Sequence, residues 1–390
     1  MSRSLYIHLQ CHQCDRIFDK NKIHRFCPEC QQPLTARYDL RPCKPEKLLR
    51  SDLPGMWRYF SVLPVENENS IIYLGEGQTP LLYLNKDREN HGRYKLYLKD
   101  ESANPTGSFK ARGIGMAVSK ATELGIKSFC VPTAGNAGSA LAAYAAAAGG
   151  ESHIYMPVKT PVVFQEDCVV MGAKVARVDG SIRDAGLRMA LENKNDQWFD
   201  ISTLKEPFRL EGKKTMGYEI AEKLKWQLPD VIIYPTGGGT GLIGIWKAFQ
   251  EMKTLGWINH IPTRMMAVQM EGCRPVVDAF NEQIDHCRLV ENPVETAANG
   301  LRVPKAFGDK LIMKTIYESQ GEAIAVTEQE MLESISEFAK RWGIFLSPEG
   351  GAVYAAYKKM AASGSIIETD ITVLINTGSP YKYIENNIVV

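Results

Sequence analysis

The run Asp230-Val231-Ile232-Ile233-Tyr234-Pro235-Thr236-Gly237-Gly238-Gly239-Thr240-Gly241 passes from an unbroken apolar segment into glycines, and then into a helix-forming stretch over 242–252. Apolar residues in succession, rich in Val and Ile and without polar alternation, describe a strand buried on both faces. The glycines let the chain turn and let its backbone approach a ligand closely. Behind them, the N–H groups and positive end of a helix suit a phosphate. The loop is neither Gly-x-Gly-x-x-Gly nor a pattern ending in Gly-Lys-Ser/Thr, so a nucleotide is not its natural ligand.

Outward from this unit the same order recurs. Strands are expected over 94–98, 128–132, 153–156, 174–178, 265–269 and 371–375, beside the one at 230–234. Helices are expected over 108–124, 139–148, 163–171, 182–193, 215–224, 328–342 and 351–362, beside the one at 242–252. Strands alternating with helices of this length predict parallel sheets with helices on both faces, an α/β fold. At 390 residues the chain is too long for one core, so two αβ domains are expected.

The formal net charge is +1, with no long run of one sign, which argues against nucleic acid or a membrane surface as partner. No apolar stretch is long enough to span a bilayer, and the first residues lack a signal-peptide core, so a cytoplasmic location is expected. Nine cysteines, an odd number, fit reduced thiols better than a disulfide framework.

Four of them form two pairs, Cys11-x-x-Cys14 and Cys27-x-x-Cys30, separated by twelve residues. Each pair makes a knuckle that aims two sulfurs at one point, and two knuckles close a tetrahedron. With no position left for water, a bound zinc is structural. Four buried thiols without metal is the competing reading. His8, His12 and His24 are read as surface residues, and Cys43, Cys130, Cys168, Cys273 and Cys287 as small buried side chains.

Asn104-Pro105-Thr106-Gly107-Ser108-Phe109-Lys110 is a turn-rich run with Ser108 as the expected N-cap, placing Lys110 in the first turn of a helix. Thr133-Ala134-Gly135-Asn136-Ala137-Gly138 is a second loop at a helix start, with Asn136 between glycines. Alone, Lys110 reads as a solvated charge and the loop as a plain turn. Together with the glycine loop, they match what pyridoxal 5'-phosphate (PLP) requires: an amine for its aldehyde, a cradle for its phosphate and a partner for its pyridine nitrogen. Thr377, at the end of the last strand, is the candidate for that partner. A hydroxyl leaves the nitrogen largely unprotonated, which favours prompt loss of a leaving group.

These residues resemble the fold-type II PLP enzymes, the group of the tryptophan synthase β-subunit, threonine synthase and the serine/threonine dehydratases. The resemblance runs from about Gly75 to Tyr383. Its anchors are Gly75-Glu76-Gly77-Gln78-Thr79-Pro80-Leu81, Asn104 to Gly113, Gly135-Asn136, Glu211-Gly212-Lys213-Lys214-Thr215, the loop from Gly237, and Thr377-Gly378. The first two anchors and the cysteine pairs resemble the threonine synthase branch most. The resemblance implies two doubly wound three-layer αβα domains with a small N-terminal zinc ribbon. It also implies conversion of O-phospho-L-homoserine and water to L-threonine and phosphate by a carbon–oxygen lyase. Lys110 would bind PLP covalently and move protons, Asn136 would face the ring hydroxyl, Gly237, Gly238, Gly239, Thr240 and Gly241 would hold the phosphate, and Thr377 would meet the pyridine nitrogen. Ala111, Ala137-Gly138 and the three successive glycines depart from the usual threonine synthase pattern, and the glycines look more like a dehydratase.

The expected organisation is a ribbon-like segment and connector over 1–45 and a catalytic region over 46–390. Within the latter, a smaller mobile αβ subdomain spans about 103–200 and a larger one the remainder, with PLP in the cleft between them. The expected partner is a phosphorylated amino-acid substrate. A homodimer is compatible with this reading, though no residue sets the oligomeric state. A serine/threonine dehydratase or related β-replacement enzyme is the alternative. A non-catalytic zinc-ribbon interaction protein is a further one, which a broken lysine or phosphate loop would favour. Arg302 reads as an exposed arginine rather than a substrate contact, Arg112 as a structural pairing residue, and Glu349 equally as a helix-start carboxylate and as a pocket residue.

Overall fold

The computed structural model describes residues 3–84 and 95–386. The chain divides into two compact units: Met1–Gln78, Asn104–Thr215 and Thr254–Trp257 in the first, and Thr79–Ala103, Met216–Lys253 and Ile258–Val390 in the second.

The first unit holds a four-stranded parallel sheet in the order Lys174–Val178, Glu151–Pro157, Ser128–Pro132, Phe199–Asp200. Helices Lys110–Glu123, Asn136–Ala147, Val162–Val170 and Ile182–Glu192 belong to it. Before the first helix, Thr106 and Gly107 take the left-handed conformation with φ of 57° and 69°. Ser108 is then still extended, so Phe109, not Ser108, takes the N-cap position and the helix opens on Lys110. The expected serine cap is thus displaced by one residue, and Ser108 Oγ instead accepts the Lys110 N–H at 3.4 Å.

The N-terminal segment of the same unit forms a three-stranded antiparallel sheet, Ile17–Phe18, Tyr6–Cys11 and Leu34–Tyr38. Tyr6, Leu9, Leu34 and Ala36 share one apolar cluster with Met56, Trp57, Phe60, Ala111 and Ile114. The ribbon therefore has no core of its own; burial against the αβ layers supplies it. The connector behind it lies outside that core only briefly, because Gly55–Val62 is almost wholly buried.

The second unit is built on a six-stranded sheet in the order Ala323–Val326, Arg264–Met270, Val231–Pro235, Ile371–Asn376, Lys95–Asp100, Leu81–Tyr83. Every neighbouring pair is parallel except the last. Tyr94, expected to open the strand at 94–98, lies outside the described residues. The fold is α/β, with two parallel-based sheets and an antiparallel ribbon.

The helix expected over 215–224 begins earlier and runs Phe208–Lys223. The Glu206 carboxylate causes this, accepting the N–H groups of Phe208 at 2.7 Å and Arg209 at 3.0 Å. Those are donors that no helical carbonyl can reach.

Candidate functional site

Lys110 is half-buried, with Nζ 4.2 Å from the centre of the Phe109 ring. The turn ahead of it is held by Asn104, whose Oδ1 accepts the Gly77 N–H at 3.1 Å and whose carbonyl accepts the Gly107 N–H at 2.9 Å. Thr106 is β-branched and left-handed, a combination that stores strain, and its Oγ1 is buried without a protein partner among the described residues. Glu76 anchors the same region from full burial. It accepts from Trp57 Nε1 at 2.8 Å, Leu74 N at 3.0 Å and Tyr144 Oη at 2.5 Å. Burial raises its proton affinity, and these bonds oppose the rise. The Gly-Glu-Gly anchor is therefore scaffolding for the lysine turn.

Asn136 is the first residue of helix Asn136–Ala147, three residues ahead of the expected start. Thr133 closes the loop early, its Oγ1 accepting the Gly135 N–H at 3.1 Å. This helix packs on helix Lys110–Glu123 so closely that a Cβ on Gly115 would sit 2.7 Å from the Tyr144 ring. Lys110 and Asn136 thus begin two helices in direct contact.

In the second unit, the Gly237–Gly241 loop and Thr377 follow neighbouring parallel strands, in register from Val231↔Thr372 to Ile233↔Leu374. Both lie at the carboxyl ends of those strands, where open α/β sheets bind ligands. The loop's conformation is imposed by packing. A Cβ on Gly237 would meet the Gly300 carbonyl oxygen at 2.1 Å, and one on Gly241 the Tyr234 hydroxyl at 1.8 Å. Gly239 has φ of 73°. Gly238 is half-buried between buried neighbours and leads into helix Thr240–Thr254. Thr377 is buried behind Asn376, which is locked by Ser347 (Oγ to Oδ1, 3.0 Å) and by Asp100 (Nδ2 to Oδ1, 2.9 Å).

Glu349 fills the second position of helix Pro348–Ala362, and its Oε1 accepts the Gly300 N–H at 2.9 Å. Since Gly300 abuts Gly237, Glu349 fixes the backbone against which the glycine loop rests. Arg302 donates to the Pro293 carbonyl at 3.0 Å, and fully buried Arg112 donates to Thr215 Oγ1 at 2.9 Å.

The sulfurs of Cys11, Cys14, Cys27 and Cys30 lie within 4.8 Å of one another. Three of their separations are 3.3, 3.7 and 3.8 Å. A tetrahedron of Zn–S bonds of about 2.3 Å has edges of about 3.8 Å, so the four thiols fit zinc. His12 faces Gln32 and His24 the Asp19 carbonyl, and the metal-ligand grouping holds the four cysteines without them.

Residues 72–378 match the family model of the pyridoxal-phosphate dependent enzymes. The chain belongs to that family. It is 36% identical to the threonine synthase of Methanocaldococcus jannaschii over 377 residues, 96% of this chain and 92% of that one. The threonine synthase of Methanosarcina acetivorans is 34% identical over the same shares. Among solved structures, O-ureido-L-serine synthase superposes with a TM-score of 0.67 at 20% identity, covering 82% of this chain and 93% of that one, and supports the fold.

The residues present fit the family's cofactor. A half-buried primary amine stands at the start of one helix, and a constrained glycine loop leads to the N–H groups of another. Glu206 and Arg209 emerge as site groups only from the structure, beside Lys213 of the quoted anchor, and all three are fully buried. Arg209 Nη1 donates to the Ile201 carbonyl at 2.6 Å, while Nε and Nη2 have no protein partner among the described residues. Their signal in the sequence was a set of charges at helical spacing, which 206–213 shows only once the helix is known to begin at Phe208.

Proposed function

We propose that the chain converts O-phospho-L-homoserine and water to L-threonine and phosphate. The observation that carries this reading is the likeness to threonine synthases over nearly the whole chain, ribbon included. Bound PLP supplies an electrophilic aldehyde and a ring that withdraws electrons from the substrate's α carbon. Lys110 would hold that aldehyde through its side-chain amine, and the same amine would carry protons at the substrate's α and β carbons. Asn136 would pair with the ring hydroxyl. Gly237, Gly238, Gly239, Thr240 and Gly241 would hold the cofactor phosphate through backbone N–H groups, and Thr377 would offer the pyridine nitrogen a neutral hydroxyl. Arg209 favours a phosphorylated substrate, because its Nε and Nη2, which have no protein partner among the described residues, are the kind of donor a phosphate pairs with. Cys11, Cys14, Cys27 and Cys30 hold a structural zinc.

Phosphate release from O-phosphohomoserine, assayed beside keto-acid formation from threonine and serine, tests the reading. Threonine and phosphate in equal amounts are expected. Keto acid without phosphate release would replace it with a dehydratase.

A further inference from the structure

Arg25 belongs to the ribbon, on the loop between strands Ile17–Phe18 and Leu34–Tyr38, yet its guanidinium reaches out of it. Nη2 donates to Asp200 Oδ2 at 2.6 Å and Nη1 to Asp196 Oδ1 at 3.2 Å. Asp196 is exposed, whereas the Asp200 side chain is only 2% exposed. The backbone at Asp200 is fixed without Arg25. Asp200 pairs with Cys130 in the parallel sheet, the Ile201 N–H donates to the Cys130 carbonyl at 2.9 Å, and the Ser202 N–H donates to Asp200 Oδ1 at 2.9 Å. The Ile201 carbonyl is the one that accepts Arg209 Nη1 at 2.6 Å. One strand end thus engages two arginines, Arg25 through a carboxylate and Arg209 through the neighbouring carbonyl.

We propose that Arg25 is a positioning residue for a phosphate-bearing substrate: by pairing with Asp200 it keeps that carboxylate from competing for the Arg209 guanidinium, whose Nε and Nη2 then stay available to the phosphate. The inference rests on the reading of Arg209 as the group that meets the phosphate. Burial lowers the proton affinity of Arg209, and Glu206 and then Asp200 oppose the fall, so both carboxylates attract its charge. Glu206 is committed to the N–H groups of Phe208 and Arg209. Asp200 is balanced by Arg25, and among the described residues it makes no ion pair with Arg209. Charges act strongly on one another where little water screens them. A buried carboxylate that loses its cation is left uncompensated. Without Arg25, Asp200 would draw on Arg209, and a phosphate would have to displace it while facing a like charge. The ribbon thereby takes part in substrate binding through a residue that coordinates no metal.

The test is the affinity of the full-length holoenzyme for inorganic phosphate, measured by calorimetry at about pH 8, where carboxylates are ionised and the bound cofactor fills its own phosphate site. Arg25→Ala is expected to weaken binding by at least about fivefold. Arg25→Lys, which keeps the charge, and Asp200→Asn, which removes the competitor, should not weaken it. Arg25→Ala combined with Asp200→Asn should return the affinity to within about twofold of the wild type. A purely structural loss at Arg25 would not be rescued in this way. Unchanged affinity in Arg25→Ala overturns the proposal, as does a double variant that binds no better than Arg25→Ala alone. If Arg25→Ala does not fold, Arg25→Gln, which keeps a donor for Asp200, replaces it with the same expected outcomes. Arg209→Met should abolish binding; phosphate held undiminished by that variant, or not bound by the wild type, also overturns the proposal. Turnover separates the two readings. A protein that shows the expected pattern but releases no phosphate from O-phosphohomoserine loses the threonine synthase reading and keeps the role of Arg25.

Discussion

Gly212 has a carbonyl where a side chain would begin. A methyl group there would lie 2.0 Å from the Arg112 oxygen, which neither helix can relieve without moving its backbone. Gly212→Ala is expected to destabilise the protein by at least about 1–3 kcal/mol, the usual range for overpacking a tight core. Chemical denaturation measures it, and an unchanged midpoint would mean the two helices are free to separate. Lys110→Ala is the complementary residue-scale change. The side chain is half-buried, so its loss should leave stability nearly unaltered while abolishing both the yellow absorbance of the bound cofactor and turnover. A yellow Lys110→Ala protein would remove Lys110 from its proposed role. Lys110, Asn136 and the glycine loop were legible because turn residues, a helix start and an amine or glycines stand together in the chain. Lys213 was quoted only as part of an anchor. Nothing local says that a lysine will be wholly buried; that follows from a helix crossing between 113 and 212.

At the scale of elements, the helix Phe208–Lys223 is set by Glu206. This carboxylate is fully buried, caps the helix and has its pKa raised to about 7, chiefly by burial and against the pull of Arg209. In the unfolded chain a glutamate titrates near 4.3. Between those values the folded state holds a proton that the unfolded state has lost. The stability from this group is thus complete below about pH 4.3 and is lost as the pH rises through about 7. Its size is on the order of 4 kcal/mol at most. Glu206→Gln should remove that part of the pH dependence while keeping an acceptor for the helix N–H groups. Denaturation of both proteins at pH 5 and pH 8 is the check, and parallel slopes would show that Glu206 stays ionised throughout. Pattern reading missed this helix start because Lys205, Glu206 and Pro207 look like a polar loop, whereas their burial comes from packing. The central strands were legible for the opposite reason: Val231–Pro235 and Ile371–Asn376 are apolar without alternation, as strands covered on both faces must be. The strand Ala323–Val326 and the edge strand Leu81–Tyr83 are apolar as well, but at four and three residues they are too short for that run to mark a strand.

At the scale of the whole molecule, which segments join is decided by pairing between distant parts of the chain. Lys95–Asp100 pairs with Ile371–Asn376 through six aligned residues, and parallel pairing at that separation leaves no local mark in the sequence. The ribbon's place follows the same logic. Tyr38, on its last strand, donates to Glu211 at 2.8 Å, and Lys214 lies 2.7 Å from the same carboxylate and 3.9 Å from the Tyr38 ring centre. Glu211 and Lys214 are both fully buried, so loosening Tyr38 exposes an ion pair that loses a partner. Removing the proposed zinc should therefore do more than fray an appendage. Chelation of the full-length protein is expected to release one zinc per chain, to lower the unfolding temperature by several degrees in a single transition, and to raise amide hydrogen exchange across 208–215. Cys27→Ser should do the same without chelator. An unchanged unfolding temperature and unchanged exchange at 208–215 after complete metal removal would show that the ribbon's shared apolar core, and not the metal, holds Tyr38 against Glu211.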